Sequence, residues 1–188
     1  MADLVTLANV KTYLLPGETT TQWDTILPAI ISAVSEQVKR EVGCDIEHVH
    51  YTAVKVSGRG TPMLDLPNWP ITAVTTVVDQ EGNEYVVGYD QDYVIETLCL
   101  RRVNGDGIWA KGSGNFTVTY EAGFTAIPAD IILVCYELIA RKWKTMKGGE
   151  WGESNRTFPD GSTGSVNVDG ELTKNHRAIL ATYKRPKL

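Results

Sequence analysis

Phe116-Thr117-Val118-Thr119-Tyr120-Glu121-Ala122-Gly123-Phe124, running on through Ile127-Pro128-Ala129-Asp130, is where the hydrophobic period of this chain changes. Phe116, Val118 and Tyr120 alternate with Thr117 and Thr119, the pattern of a strand with one buried face. Ala122-Gly123 closes that strand. Pro128 suits the first position of a helix, where its missing N–H costs nothing, and Asp130 complements the positive end of the helix dipole. Ile131, Val134, Cys135, Leu138 and Ile139 then recur at three- and four-residue spacing. Arg141, Lys142, Lys144 and Lys147 suit the C-terminal half, and Gly148-Gly149 stops the helix.

Upstream of the junction the period stays at two. Tyr51–Val56, Met63–Leu66, Ile71–Asp79, Glu84–Val87, Tyr93–Glu96 and Leu98–Arg101 read as short strands. Turn residues such as Gln80-Glu81-Gly82-Asn83 and Asn104-Gly105-Asp106-Gly107 separate them, which predicts an antiparallel sheet or small barrel. Further out the period is helical again. Thr6 caps a helix over 7–14, and Pro16-Gly17 ends it. Thr21 with Asp24 resembles a capping box for a helix over 22–43. That helix carries Trp23, Ile26, Leu27, Ile30, Val34, Val38 and Val42 on one face and stops at Gly43. Pro28 either kinks it or marks where its regular part begins. A last helix is predicted over 172–184, after a polar loop at 148–170. The expected fold is α+β: a helical bundle from the N- and C-terminal helices, with an antiparallel β-region at about 50–122 inserted between them, in a single domain spanning 1–188.

Composition narrows the class. With 188 residues, 43% of them hydrophobic and 22% charged, the chain can bury a core and is not disordered by composition. It has no apolar run near the roughly 18–20 residues of a membrane helix. No basic stretch followed by an apolar one opens it, so no secretory signal is expected. Cys44, Cys99 and Cys135 are too scattered for a disulfide framework, which suggests a reducing compartment. The net charge is −5, unevenly spread: the last eighteen residues carry five cations (Lys174, Arg177, Lys184, Arg185, Lys187) against Glu171. That segment is +4 and the rest of the chain −9. An acidic body argues against tight duplex binding, since phosphate contacts need clustered cations. A basic tail reads either as a docking segment or as a solvated helix end.

Candidate reaction centres are sparse. Cys44, His48 and His50 come nearest to a metal cluster, but a structural zinc site wants four ligands and no spacing brings His176, Cys99 or Cys135 to them. No Gly-x-Ser-x-Gly elbow is present, and Gly58-Arg59-Gly60 and Gly112-Ser113-Gly114 lack the form of a phosphate loop. Glu36, Asp65 and Asp92 have no evident acid–base partners. No catalytic residue, metal or cofactor is therefore assigned. Trp23, Trp69, Trp109, Trp143 and Tyr120 fall in patterned elements and read as packing. Trp151 and Phe158 lie in the polar loop with Arg156 and read as anchors for a neighbouring subunit or another protein, or else as a cover for an edge of their own domain.

Several features, in order, resemble the head–tail connector (adaptor, or head-completion) proteins of tailed bacteriophages and related prophage elements. Leu4 to Leu14 resembles the family's opening helix, and Ile26 through Val42 with Gly43 its second. Leu64-Asp65-Leu66-Pro67-Asn68-Trp69-Pro70-Ile71 resembles its LxLPxxPV corner. Val118-Thr119-Tyr120-Glu121-Ala122-Gly123-Phe124 with Pro128 resembles its VxYxAGY…P junction, and Ala178 to Arg185 its terminal LLxPYR-like segment. The chain departs from the pattern at Thr182, where proline is usual, and at Pro28. The resemblance implies a structural virion protein, not an enzyme, made in the bacterial host cytoplasm. It implies a ring, typically of twelve subunits, beneath the portal at the capsid vertex, extending the DNA channel towards the next neck protein. The partners would be the portal protein, copies of itself and a stopper or terminator. Double-stranded DNA would pass without specific binding, and no membrane is involved. The portal-docking candidates it implies are Arg177, Leu180, Tyr183, Lys184 and Arg185. A stopper or tail-terminator protein of the same neck, and a small ligand-binding or enzymatic α+β domain, are the alternatives.

Overall fold

The strand that opens the junction is the centre of its sheet. In the structure, a computed structural model that describes residues 3–17, 21–148, 155–157, 163–165 and 172–185, Phe116, Val118, Tyr120 and Ala122 are all buried while the residues between them are half-exposed. The described elements run α1 (Leu7–Leu14), α2 (Leu27–Val42), β1 (Val49–Val56), β2 (Met63–Asp65), β3 (Ile71–Asp79), β4 (Tyr93–Ile95), β5 (Cys99–Arg102), β6 (Phe116–Ala122), α3 (Ala129–Gly148), β7 (Asn155–Thr157), β8 (Thr163–Ser165) and α4 (Lys174–Ala181). This is an α+β protein with antiparallel ladders, as expected.

The chain divides into two compact units, one from Met1–Val42 and Pro128–Lys184, the other from Gly43–Ile127 with Arg185–Leu188. The second is the β unit. Its sheets have strand orders β1-β6-β3 and β2-β5-β4. Val56, Leu64, Leu66, Val77, Tyr93, Leu100, Trp109, Phe116, Val118 and Tyr120 form its core. Trp109 is 1% exposed and donates its indole N–H to the Leu100 carbonyl at 3.0 Å, so the largest core side chain leaves no polar atom unpaired. At the end of β6, Gly123 takes φ +106, and a side chain there would run into the Glu47 carbonyl. Its N–H donates to Pro70 and that of Phe124 to Ile46, each at 2.9 Å. The glycine of the junction is thus required by a backbone approach as well as by its dihedral.

The helical unit is built on α2 and α3, with α1 and α4 packed on both. Val10, Leu27, Val34, Val38, Ile131, Cys135, Leu138, Ile139 and Leu180 are completely buried there. Thr6 caps α1, its side chain accepting from the Asn9 N–H at 3.3 Å.

Four expectations are corrected. α2 begins at Leu27, not 22: residues 22–26 form turns with i→i+3 bonds, and Pro28 sits in the first helical turn where it breaks nothing. Asp24 does not complete a capping box but pairs with Lys11 at 2.7 Å. Glu84–Val87 returns along β3 only at its start, where Glu84 bridges Val78 antiparallel and the Tyr85 N–H reaches Val77 at 2.9 Å, and does not form a strand: the Val86 N–H is taken by the Asp92 carboxylate at 2.8 Å and the chain leaves β3. Within 148–170, β7 and β8 pair antiparallel where the sequence pattern predicted only loop.

Candidate functional site

The docking candidates lie on α4 and just beyond it. Eight residues are too few for a helix that stands alone in water, so α4 depends on capping and on its seat. Thr173 accepts from the His176 N–H at 3.2 Å, and His176 Nδ1 accepts from the Thr173 N–H at 3.4 Å, a capping box with histidine in the place of glutamate. Because Nδ1 accepts, Nε2 carries the proton and donates to Glu137 Oε2 of α3 at 2.8 Å. Leu180 is fully buried: in this structure it belongs to the core of the helical unit and is not offered to a partner. Tyr183 donates its hydroxyl between the two oxygens of Asp130, 2.8 Å from each. Burial, then that carboxylate, raises the Tyr183 phenol above its usual range. Lys184 pairs with Glu41 at 2.7 Å. Arg177 lines an open depression of about 220 Å³ with Gln37, Arg40, Glu41 and Leu172.

Thr182, the departure from the family pattern, donates its backbone N–H to the Ile179 carbonyl at 3.1 Å, a bond proline would not make. Its hydroxyl reaches the same carbonyl at 2.7 Å.

Arg185 belongs to the β unit. Its guanidinium reaches the Leu98 carbonyl at 3.3 Å and Asp65 at 3.5 Å. Arg59 takes the other Asp65 oxygen at 2.9 Å. Arg185 and Arg59 thus share Asp65 of the 64–71 corner in one ion cluster inside the β unit. Sequence reading missed this pair, and also His176–Glu137 and Tyr183–Asp130, because each joins residues far apart in the chain and no local spacing encodes it.

The other candidates are placed as follows. His48 and His50 do share a face: both approach Glu121, at 3.4 and 3.5 Å. Among the described residues no group of three or more His, Cys, Asp or Glu is arranged to hold a metal ion. Burial pushes the Cys44 and Cys99 thiols up to about 11 and Cys135 to about 12, so all three are protonated and weakly nucleophilic at neutral pH. Asp92 holds the Val86 turn and faces Arg102 at 3.6 Å. Trp23 meets Trp143 edge-on at 5.8 Å, and Trp69 meets Phe124 at 6.3 Å. Trp151 and Phe158 lie outside the described residues, and Arg156 stands opposite Gly164 in the β7–β8 ladder.

The polar side chains singled out above mostly hold together the elements of an α+β protein. Residues 3–186 match the family model described as head completion protein, and the chain belongs to that family. No curated protein matches it by sequence. Among solved structures it is similar to a chain of the "Neck of empty GTA particle computed with C6 symmetry", with 15% identity, a TM-score of 0.61, and 98% of this chain and 91% of that one covered. A chain of the "Virion of native gene transfer agent (GTA) particle" matches at 14% identity and TM-score 0.50, covering 98% and 91%. A chain of the "Neck of native GTA particle computed with C12 symmetry" matches at 14% and 0.50, covering 96% and 88%. The described helices include none long and apolar enough to cross a membrane.

Proposed function

We propose that this protein is the adaptor subunit of a phage neck: a ring, of twelve copies, seated under the portal, extending the DNA channel and presenting a surface to the next neck protein. The observation that carries the reading is family membership over residues 3–186. The fold shared with neck chains over nearly their whole length supports it. In this reading the virion neck is where the protein acts, and it catalyses nothing. Arg177, Tyr183, Lys184 and Arg185 are the portal contacts, with Leu180 anchoring α4 from beneath. Trp151, Phe158 and Arg156 are contacts to neighbouring subunits or the next neck protein. The acidic body suits a conduit, because a wall of net negative charge releases no counterions from a passing duplex and does not hold it.

The test is co-sedimentation of the purified chain with a purified portal ring. Full-length protein should bind stoichiometrically. Arg177→Glu combined with Lys184→Glu should lower binding at least tenfold while costing no more than about 1 kcal/mol of stability, since both side chains reach solvent and the Lys184–Glu41 pair is a surface one. Binding untouched by that pair would move the contact off the tail. Absence of binding by the full-length chain would overturn the adaptor reading in favour of a stopper or terminator.

A further inference from the structure

The β unit is electrically two-sided. Residues 48–64 and 107–120 contain no aspartate or glutamate, although the chain as a whole is acidic. Hydrogen bonds bring these stretches together: Gly112 N–H to the Gly58 carbonyl at 3.0 Å, and Gly114 N–H to the Ser57 hydroxyl at 2.9 Å. They carry Lys55, Arg59 and Lys111, all exposed. Residues 65–100 are the reverse, with seven acids and no lysine or arginine. Glu81, Glu84 and Asp90 there are exposed. Arg102, the nearest following cation after Arg101, lies over the Tyr85 ring at 4.5 Å and is only 13% exposed. Arg101 is paired with Glu96.

Topology sets the two signs on opposite edges. β6 is flanked by β1 and β3, and Phe116 pairs with Val56 on one side and Asp79 on the other. Lys55 is thus one residue from the level at which the acidic turn Asp79–Glu84 leaves the far edge, two strand spacings away or about 10 Å. Asp79 itself accepts from Asn83, Glu81 and Tyr85, so the turn is held out as a shaped acidic tip. Arg59 is paired with Asp65 of its own chain at 2.9 Å, which leaves Lys55 and Lys111 as the cations of this edge; among the described residues no ion pair joins either to Glu81, Glu84 or Asp90. Each also has an apolar companion: Met63 and Ile108 are 41% and 44% exposed in the basic stretches, and Val86, Val87 and Tyr89 are 52%, 47% and 79% exposed in the acidic one. These are five of the seven large exposed apolar side chains among the described residues.

An apolar centre with a charged rim is the anatomy of a protein interface. Duplex DNA is a poor occupant for the basic edge, because the acidic edge lies within about one Debye length of it at about 0.1 M salt and repels phosphates. The fitting partner offers both signs, and a second copy of this chain does. Head-to-tail ring contacts require two different, complementary patches per subunit. We propose that the basic edge of one copy, Lys55 and Lys111, docks on the acidic stretch of the next, Glu81, Glu84 and Asp90, closing the ring; this rests on the adaptor reading.

The experiment compares assembly on the portal ring by native mass spectrometry and electron microscopy. Wild type is set beside Lys55→Glu/Lys111→Glu, Glu81→Lys/Glu84→Lys and the fourfold combination. All four sites are exposed, so folding should survive, and circular dichroism checks it. Each double reversal should abolish the ring, and the fourfold swap should restore it, because the signs again match across the contact. Raising salt from about 0.05 to about 0.5 M should weaken the wild-type ring. Rings formed equally by wild type and by both double variants would overturn this assignment while leaving the adaptor reading intact. So would unchanged rings with loss of duplex DNA binding by the lysine variant, which would make DNA the occupant. Absence of a ring in wild type on the portal would remove the adaptor reading and this inference with it.

Discussion

The two units hold themselves together by different means. The β unit relies on one aromatic cluster: Trp109 lies 5.1, 5.4 and 5.8 Å from Phe116, Tyr85 and Tyr93. The helical unit seats its last helix with polar pairs of long sequence separation, His176 to Glu137 and Tyr183 to Asp130, around one buried leucine. Losing a cluster member unfolds its unit, whereas losing one polar pair loosens a terminal helix. The units should therefore respond differently to substitution. The largest effect is expected from Trp109→Ala, which removes the indole, its hydrogen bond and three ring contacts at a site 1% exposed. It should cost about 3–5 kcal/mol in denaturant unfolding. A loss under about 1 kcal/mol would show that the cluster is not what holds the sheets together.

How much of this was legible in the sequence follows the same division. The alternation of Phe116, Val118 and Tyr120 encodes burial directly, because a strand's two faces see different environments. The face of α2 and the caps at Thr6 and Gly43 were equally readable, being local. The end of the Glu84–Val87 stretch was not. Its β-branched residues favour a strand, but the Asp92 carboxylate takes the Val86 N–H, and a side chain six residues away leaves no mark in a period. The site is less legible than the fold for this reason. Charge counting finds a basic tail, yet it cannot tell that Leu180 faces inward or that Arg185 ends on Asp65. The two-sided charge of the β unit was present in the sequence as acid-free and base-free runs. It acquires meaning only when β1 and β3 are known to flank β6.

A middle-sized effect is expected in the helical unit. Leu180→Ala empties a fully buried site on α4 and should cost about 2–5 kcal/mol, near the lower end if the short helix can shift to fill the space. Hydrogen exchange should localise the loss to α4 and its neighbours, and portal binding should fall in step. Uniform loss of protection across the β unit as well would erase the distinction between the two units.

The smallest effect sharpens it. Tyr183→Phe removes only the hydroxyl that donates to the two Asp130 oxygens, and Asp130 still accepts from the Ile131 N–H at 2.9 Å. The expected cost is about 1 kcal/mol, the net worth of one ordinary hydrogen bond. Its pH dependence identifies it. The Tyr183 phenol is raised in the folded protein, chiefly by burial and then by Asp130, so folding favours the protonated form. That stability is fully present below the unfolded phenol's range near pH 10 and is lost as pH rises through the higher folded value. Wild type should therefore lose stability relative to Tyr183→Phe only on the alkaline side, with the two differing by a constant amount at neutral pH. A difference that stayed the same through the alkaline range instead would show that ionisation of Tyr183 does not control the contact.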